Sequence, residues 1–340
     1  MSKSYQKETM QSTTPYIPNL AIVVTTFERQ ELLQELLDSI AALEVLPKKV
    51  FIVDNENSPK TKALVGSFPW TAYIAMKENS GGAGGFSRGI KEAYSAGFDW
   101  VWAMDDDVKV LPKAIEKLSR WMRQTEEDLS QGKDLSEVTT VYQGLRKNFD
   151  GTFFYWQYHF INKLAIPNPV SPSGFDPGED SRAMNTACFE GSLFHRSIIE
   201  RIGLPDARFF IYWDDTMYGY LASKHTGMLL VTEYVLQRSR SLESLRIGVM
   251  RRLNTTSDFT RYYIMRNRGH MAHYLRIYGD YNRFLFGFGT FLTFIKEIIR
   301  LSLSKDFRSG FSRLVEGFRD SRKILKEPDW QPYAEIMPLD

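Results

Sequence analysis

The sequence predicts an α/β protein with a mostly parallel sheet, because strand-like apolar runs alternate with helical patterns and polar motifs follow the ends of those runs. The β-branched run LAIVVTT at 20–26 precedes apolar residues at helical spacing over 27–43. Further strands are predicted at 49–55, 72–76 and 100–104. A glycine-rich loop leads into a helix over 81–97, and another helix is predicted over 111–122, with Pro112 near its first turn.

The pattern after residue 124 is less regular. Strands are predicted at 138–144, 152–160 and 228–236, a long loop at 168–180, a short helix at 196–205, and amphipathic helices from about 258 onwards. We divide the chain into a flexible N-terminal segment (1–18), an α/β domain (19–240) and a basic, amphipathic, mainly helical region (241–340).

The composition is that of a globular protein: 340 residues, 43% of them hydrophobic and 25% charged. The net charge of +2 gives no indication of nucleic-acid binding. The single cysteine, Cys188, excludes an intramolecular disulfide, fits a reducing compartment and is interpreted as a core residue. The polar N-terminus does not resemble a signal peptide, so we expect a cytoplasmic protein.

The basic charge is concentrated near the C-terminus. Residues 241–330 carry 17 Lys and Arg against 9 Asp and Glu. The apolar stretch at 284–295 is too short to span a membrane, which takes ~20 residues. We expect the longer segment 284–303 to rest on an anionic membrane surface, or to act as a helical lid or an oligomer contact.

Three consecutive carboxylates, Asp105–Asp107, follow the strand predicted at 100–104. One interpretation is an exposed acidic turn, and the other is a site for Mg²⁺ or Mn²⁺. Asp54 and the glycine-rich loop also follow predicted strands, and ligands of such sheets bind at the carboxyl ends of the strands. This convergence favours the metal site. Alternate residues of an extended segment point the same way, which selects Asp105 and Asp107 as the ligands.

The glycine-rich segment ENSGGAGGFSRGI at 78–90 has neither the Walker A pattern nor a clean GxGxxG spacing. Glycines ahead of a helix let backbone N–H groups approach a phosphate closely. The alternative is a tight structural loop. Arg88 either contacts a phosphate or is solvated.

A second acidic pair, Asp214 and Asp215, lies in the aromatic block FIYWDDTMYG at 210–219. Acids among aromatic residues have a raised pKa, which suits a general base. The alternative is a helix N-cap, and the two roles are compatible. A nucleotidyltransferase is disfavoured because its glycine-rich motif is missing from the first loop, TTFER.

Taken in order, these motifs resemble those of inverting family-two glycosyltransferases with the GT-A fold, over about residues 20–240. The resemblance rests on VVTTFER, IVDN, NSGGAGGFSRG, MDDDV, the segment 191–220 with IYWDD, and RYYIMRN. Within the family, NSGGAGGFSRG and IYWDD are most similar to bacterial galactofuranosyltransferases, followed by rhamnosyltransferases. The implied fold is a Rossmann-like mixed sheet flanked by helices, with a C-terminal helical extension.

The resemblance also implies roles for individual residues. Asp215 is implied as the catalytic base, with Asp214, Trp213 and Tyr212 as acceptor-binding residues. Asp105 and Asp107 match the metal ligands, with Mn²⁺ or Mg²⁺ as the cofactor. The residues implied for the nucleotide sugar are Thr26, Arg29 at the diphosphate, Asp54 at the nucleobase, Asn79, Gly81, Gly82, Gly84, Gly85, Arg88 and Asp106.

Two positions depart from the family's pattern. Met217 stands where relatives often carry Glu, which affects the expected acceptor contacts. Gln237 or Arg238 stands where relatives often supply a metal-binding His, and an arginine there would take over part of the cation's role.

The function implied is transfer of galactofuranose from UDP-galactofuranose, with inversion, onto a hydroxyl of a cell-surface glycan or lipid-linked glycan precursor. The alternatives are a rhamnosyltransferase that uses dTDP-rhamnose and a nucleotide-sugar-binding protein without transfer activity. We expect peripheral attachment at the inner membrane face, no nucleic-acid partner, and a homo-oligomer contact, if one forms, through the C-terminal region.

Overall fold

A computed structural model describes residues 16–154, 159–168, 175–241, 244–247, 251–254, 256–303 and 307–333. The predicted α/β class is confirmed, because helices cover both faces of a mixed sheet and a helical region follows it. The strands are β1 (Leu20–Thr26), β2 (Lys49–Asp54), β3 (Thr71–Ala75), β4 (Trp100–Asp105), β5 (Val108–Val110), β6 (Thr139–Lys147), β7 (Phe160–Ile161), β8 (Ile166–Pro167), β9 (Ser181–Ala183), β10 (Ser192–His195), β11 (Gly227–Arg238), β12 (Ser244–Ile247) and β13 (Arg251–Asn254).

The helices pack around this sheet and continue beyond it. They are α1 (Gln30–Ala41), α2 (Pro59–Gly66), α3 (Gly81–Ser95), α4 (Ala114–Ser130), α5 (Arg196–Ile202), α6 (Asp214–Ala222), α7 (Asp258–Arg266), α8 (Arg268–Ile277), α9 (Arg283–Ser302) and α10 (Phe307–Ile324). Among the described residues, no helix combines the length and the apolar character needed to cross a membrane.

The main sheet has the strand order β3-β2-β1-β4-β10-β6-β11-β5, with β9 paired to β11. The first four strands are parallel, and β10 is antiparallel to both of its neighbours. The order reverses beside β1, since β2 lies on one side of it and β4 on the other. Such a switch point is where open α/β sheets bind their ligands, at the carboxyl ends of the strands.

Alternating residues of β1 bury themselves on opposite faces of the sheet. Leu20, Ile22 and Val24 pack towards α1 and α4, whereas Ala21 and Val23 pack towards α3. Trp100 and Trp102 of β4 are fully buried in the first of these two cores. Because both faces are covered, β1 and β4 are apolar over most of their length and become polar where they end.

The C-terminal helices share a core with the helix that follows the acidic pair. Trp213 and Met217 pack with Met271, Tyr274 and Phe286. The boundary predicted at residue 240 therefore does not separate two independent cores within the described residues. The predicted N-terminal segment 1–18 and the predicted loop 168–180 lie partly outside the described residues, at 1–15 and 169–174.

Helix α9 is seated against the Leu164–Ala165 segment by one glycine and one arginine. A Cβ on Gly289 would lie 1.8 Å from the carbonyl oxygen of Leu164. The buried guanidinium of Arg268 donates to the Ala165 and Leu164 carbonyls at 2.8 and 3.0 Å, and to the hydroxyls of Thr290 and Thr293 on α9. Close approach and hydrogen bonding together fix α9 in place.

Three local predictions differ from the structure. The glycines 81–85 form the first turns of α3 instead of a loop, because Asn79 and the Phe210 carbonyl accept from the first backbone N–H groups. Helix α4 begins at Ala114, after Pro112. The strand predicted at 152–160 is reduced, among its described residues, to a bridge at Phe153 and the first residue of β7, while 155–158 lie outside the description.

The seating of α9 predicts opposite effects for two glycines of the same helix. Gly289→Ala should destabilise the protein by about 1–3 kcal/mol, because the Leu164 carbonyl has to move. Gly287→Ala, where no atom lies within 4 Å of the new Cβ, should be neutral or stabilise by up to about 1 kcal/mol. Urea denaturation of the two variants and the wild type measures both effects. Equal stability of the two variants would contradict the contact.

Candidate active site

One cleft lies along the carboxyl edge of the parallel strands. Its volume of about 1930 Å³ exceeds the ~300–1,000 Å³ typical of a pocket for one small ligand, so it has room for more than one. The predicted site residues that line it are Thr26, Arg29, Asn79, Gly81, Gly82, Asp105, Asp106, Asp107, Tyr212, Trp213, Asp214 and Asp215. Four predicted residues are not among the cleft-lining residues: Asp54, Gly84, Gly85 and Arg88.

Asp106 closes the switch point between β1 and β4. Its buried carboxylate accepts from the Thr26 hydroxyl at 2.7 Å and from the Arg29 guanidinium at 3.0 Å. Register places Thr25 beside Asp105, so the two strand ends are adjacent before this bond forms. Asp106 therefore holds Thr26 and Arg29 at the edge of the cleft, beside Asp105 and Asp107.

Both acidic and basic side chains surround the other two carboxylates of the triplet, Asp105 and Asp107. Burial raises the pKa of Asp105 well above its ordinary value, and the negative charges of Asp107 and Glu190 raise it further. The Arg238 guanidinium acts in the opposite direction. Asp107 lies 3.8 Å from Arg29 and 3.7 Å from Arg240. Negative charge at Asp105 is thus only partly compensated by the protein.

Glu190 is held by two arginines behind the acidic triplet. Arg238 donates to both of its carboxylate oxygens, at 2.8 and 2.7 Å, and Arg146 approaches it at 2.5 Å. All three side chains are nearly or fully buried, and all three line the cleft. Arg238 is one of the two positions, with Gln237, at which the sequence departs from the expected pattern, and its guanidinium places a positive charge behind the triplet. Gln237 instead donates to the Phe149 carbonyl and does not line the cleft.

The residues at this edge fit a divalent cation with two protein ligands. Among the described residues, no cluster of three or more His, Cys, Asp or Glu side chains could hold a metal. Asp105 and Asp107 nevertheless supply two hard oxygen ligands, and a cation beside Asp105 would offset the burial and the neighbouring carboxylates that raise its pKa. Mg²⁺ and similar ions are commonly held by one or two carboxylates, with phosphate and water completing the coordination.

Asp54 has a task within the protein. Its fully buried carboxylate accepts from the backbone N–H groups of Glu56 and Ser58 and from the Tyr73 hydroxyl, at 2.8–2.9 Å. Through these hydrogen bonds the Asp54 carboxylate stabilises the turn after β2. Its neighbour Asn55 lines the cleft instead.

Gly84, Gly85 and Arg88 also serve the fold. A Cβ on Gly84 would lie 2.3 Å from the Ser80 hydroxyl oxygen, and a Cβ on Gly85 would lie 2.6 Å from the Thr25 methyl group. These glycines let α3 pack closely against β1 and its own N-terminus. Arg88 is half-exposed and pairs with Glu92 one turn along the helix. The phosphate-binding interpretation is therefore restricted to Asn79, Gly81 and Gly82.

The segment before the acidic pair adopts an unusual backbone. Phe210, Tyr212 and Trp213 all have φ between 61° and 74°, in the left-handed region that non-glycine residues seldom adopt. The side-chain amide of the fully buried Asn267 donates to the carbonyls of Phe209, Ile211 and Tyr212, at 2.8–3.0 Å. Such strain persists where surrounding structure over-determines it. Asn267 from the C-terminal region thus fixes the segment.

Helix α6 begins at Asp214, so both acids lie in its first turn. Trp213 takes the N-cap position without a side-chain cap, which corrects the expectation that one of the acids caps the helix. Carboxylates in the first turn remain favourable because of the helix dipole. Trp213 itself donates its indole N–H to the Ile264 carbonyl at 3.1 Å.

The two acids differ in their surroundings. Burial raises the pKa of Asp214 to about 8, with a further contribution from the charge of Asp215. Burial also raises the pKa of Asp215, but hydrogen bonds from Thr216 and Cys188 and the charge of Arg146 lower it. The surroundings therefore favour the proton on Asp214 and the negative charge on Asp215 when the pair holds one proton.

Several cleft residues are not evident from the sequence. Cys188 lines the cleft beside Asp215, which corrects its interpretation as core. Burial raises the pKa of its thiol, so it stays protonated. Arg146 interrupts the apolar strand β6, which is a signal that could have been followed. Ile299 and Arg300 of α9 form the wall opposite the sheet, and nothing in their local pattern indicates it.

The architecture has a solved counterpart. The crystal structure of S. aureus TarS 1–349 in complex with UDP-GlcNAc superimposes with a TM-score of 0.50, covering 89% of this chain and 90% of that one at 11% identity. At this identity the likeness shows the fold alone. With the mixed sheet and its cleft at the strand ends, it defines a GT-A glycosyltransferase fold.

The chain belongs to glycosyltransferase family 2, whose model, described as "Glycosyl transferase family 2", matches residues 21–203. It is 30% identical over 199 residues to galactofuranosyltransferase GlfT1 of Mycolicibacterium smegmatis, covering 57% of this chain and 61% of that protein. It is 29% identical over 201 residues to the GlfT1 of Mycobacterium tuberculosis, covering 57% of this chain and 60% of that protein. The chain thus spans about three-fifths of the length of these curated relatives.

The raised pKa of Asp214 predicts a pH-dependent stability. Between about pH 4 and about pH 8 the folded protein keeps a proton that the unfolded chain has lost, so the free energy of unfolding falls as the pH rises. Asp214→Asn should remove part of this decline, at most about 1.4 kcal/mol per pH unit, and should stabilise the protein near pH 7.5.

Urea denaturation between about pH 5 and about pH 8 measures this effect. The control is Asp38→Asn, which replaces an exposed carboxylate of α1. If both variants keep the wild-type pH dependence, the shifted pKa of Asp214 is refuted.

Proposed function

We propose that this protein is an inverting glycosyltransferase that moves galactofuranose from UDP-galactofuranose onto a hydroxyl of a cell-surface glycan or lipid-linked glycan precursor. The observation that carries the proposal is one cleft lined by two acidic groups, the Asp105–Asp107 triplet and the Asp214–Asp215 pair, whose surroundings we call the donor end and the acceptor end. The names of the mycobacterial relatives support the choice of sugar, since both are called galactofuranosyltransferases. Membership of glycosyltransferase family 2 supports the reaction class.

The donor end combines a positive group with small backbone surfaces. Arg29, held by Asp106, faces the diphosphate, and Thr26 lies beside it at the end of β1. Asn79, Gly81 and Gly82 border the sugar at the N-terminus of α3, where the helix dipole favours an anion. Arg238 behind the acidic triplet adds positive charge at the point where the leaving diphosphate gains negative charge.

Asp105 and Asp107 would hold a Mn²⁺ or Mg²⁺ ion at this end. When bound, the ion offsets the negative charge of the departing nucleoside diphosphate. The remaining chemistry belongs to the chain's own residues.

The acceptor end supplies the base. Asp215, the ionised member of the pair, takes the proton from the acceptor hydroxyl as its oxygen attacks the anomeric carbon from the face opposite the diphosphate. A single displacement of this kind inverts the anomeric configuration. Asp214, protonated, donates a hydrogen bond to the acceptor, and the aromatic surfaces of Tyr212 and Trp213 position a sugar ring.

Incubation of the purified protein with Mn²⁺, a short glycan acceptor and a panel of nucleotide sugars tests the proposal. Mass spectrometry identifies any product. UDP-galactofuranose should give transfer and the other donors little. Transfer from dTDP-rhamnose alone would replace the proposed donor, and binding of a nucleotide sugar without any product would identify a binding protein.

The metal site predicts that UDP binding depends on a divalent ion. Asp107→Ala should remove the Mn²⁺ dependence of UDP affinity and lower turnover by orders of magnitude, since the leaving group loses its counter-charge. Calorimetric titration of UDP with and without Mn²⁺ measures the affinity. Glu56→Ala changes one acidic residue after the neighbouring strand and serves as the control. Unchanged Mn²⁺ dependence in Asp107→Ala would remove the metal site.

The base assignment predicts a separation of binding from chemistry. Asp215→Asn should leave UDP affinity nearly intact and lower transfer by ~10²–10⁴, because an amide of the same shape cannot accept the proton. Asp214→Asn should mainly raise the acceptor KM. Single-turnover transfer at saturating donor and acceptor distinguishes the two. An active Asp215→Asn with an inactive Asp214→Asn would reverse the assignment.

A further inference from the structure

Helix α9 carries a continuous apolar stripe on its outer side. Large apolar side chains recur along one side of the helix, at 36–84% exposure: Phe284, Leu285, Phe288, Phe291, Leu292, Ile295 and Ile299, with Leu303 just beyond its end. At about 100° per residue they fall within roughly a third of the helix circumference. The opposite side, with Phe286, Thr290 and Thr293, is buried. An exposed stripe of this length is more than scattered surface hydrophobicity.

The stripe continues onto α10. Phe307, Phe311 and Phe318 recur at helical spacing and are 38–42% exposed. Phe294 of α9 contacts both Phe311 and Phe318, with ring centroids 6.5 and 6.3 Å apart. The two helices therefore present one apolar face, which we call the α9–α10 face and which comprises these residues and the stripe of α9.

Positive charge surrounds this face. The described residues of the two helices and the turn after α9, 283–303 and 307–324, contain eight Lys and Arg against three Asp and Glu. Glu297 and Arg300 are both buried and pair with each other, so apart from this pair the two helices and the turn carry seven basic residues against two acidic ones. Arg308, Arg319 and Arg322 are exposed beside the phenylalanines of α10. A helix with an apolar face and basic flanks binds at the interface of an anionic bilayer.

We infer that the α9–α10 face docks this protein on an anionic lipid bilayer, with the mouth of the active-site cleft at the membrane surface. Leu292, Ile295 and Ile299 belong to the exposed stripe and also line the cleft. The apolar surface therefore runs from the outside of the protein into the cleft without interruption. The glycan of a lipid-linked acceptor enters the cleft while its lipid chain remains in the bilayer. This last step rests on the proposed function.

Charge favours a bilayer over a second copy of the chain. A symmetric dimer through the α9–α10 face would bring two basic rims together, which costs energy unless acidic groups face them. An anionic bilayer supplies that negative charge and an apolar interior in one surface. The partner that the face fits is thus a membrane rich in anionic lipid.

Vesicle flotation with the full-length protein tests the inference. Vesicles of phosphatidylglycerol and phosphatidylcholine should carry the wild type, and binding should fall in high salt and on pure phosphatidylcholine. The double variant Phe288→Glu with Phe291→Glu should bind at least about tenfold more weakly, since two apolar anchors become charged. Neither residue lines the cleft.

A matched control makes the same chemical change elsewhere. Ile17→Glu with Leu46→Glu alters two side chains that are 64% and 42% exposed and lie outside the α9–α10 face. This variant should float with the vesicles like the wild type. Circular dichroism and UDP release with a short soluble acceptor should be unchanged in both variants, which separates docking from folding and from catalysis.

Three outcomes would overturn the inference. The wild type stays unbound on anionic vesicles, or the face variant binds as well as the wild type. In the third outcome, the wild type does not bind vesicles, and sedimentation shows that it forms a dimer that the face variant does not form. The α9–α10 face would then join two copies of the chain. Failure of docking with transfer intact leaves the proposed function standing. Docking without transfer from any donor refutes the proposed function alone.

Discussion

Parallel pairing of β1 with both β2 and β4 is the constraint on which the rest of the structure depends. It brings the carboxyl ends of these strands to one edge, where the register pairs Thr26 with Asp54 and Thr25 with Asp105. Several carboxylates lie at this edge, and burying them is unfavourable unless cations or hydrogen-bond donors compensate their charge. The compensating groups differ between the carboxylates. Backbone N–H groups and the Tyr73 hydroxyl donate hydrogen bonds to Asp54, and Arg29 and Thr26 donate to Asp106. Asp105 is left partly uncompensated at the cleft, which is where a cationic ligand is useful.

The side of the cleft that holds Asp214 and Asp215 depends on the C-terminal helices. The strained segment Phe210–Trp213 positions the acidic pair, and the amide that fixes it comes from Asn267, between α7 and α8. Helix α9 then supplies the opposite wall through Ile299 and Arg300. The family model ends at residue 203, so the part of the chain that completes the cleft lies largely beyond the matched region.

Local pattern was sufficient to predict the strands of the parallel half and the position of the acidic triplet. A strand that is buried on both faces appears in the sequence as an uninterrupted apolar run. A polar motif at the end of such a run indicates an edge of the sheet. The sequence could not distinguish cleft glycines from packing glycines, because the difference lies in their spatial neighbours: no atom lies within 4 Å of a Cβ built on Gly82, whereas a Cβ on Gly85 would lie 2.6 Å from the Thr25 methyl group. The Arg146–Glu190–Arg238 cluster was equally hidden, since its members come from distant parts of the chain and meet only through tertiary structure.

Arg268 fixes the position of α9 against the Leu164–Ala165 segment. Burial lowers the pKa of its guanidinium to about 9. The guanidinium donates hydrogen bonds to neutral oxygens of Leu164, Ala165, Thr290 and Thr293. Its planar arrangement of N–H groups matches these acceptors in one alignment of α9. A slide of α9 by one turn would take the Thr290 and Thr293 hydroxyls away from this buried cation and leave it only the Leu164 and Ala165 carbonyls. Displacement of α9 along its axis therefore costs hydrogen bonds, and the part of the cleft that α9 lines is held in one register.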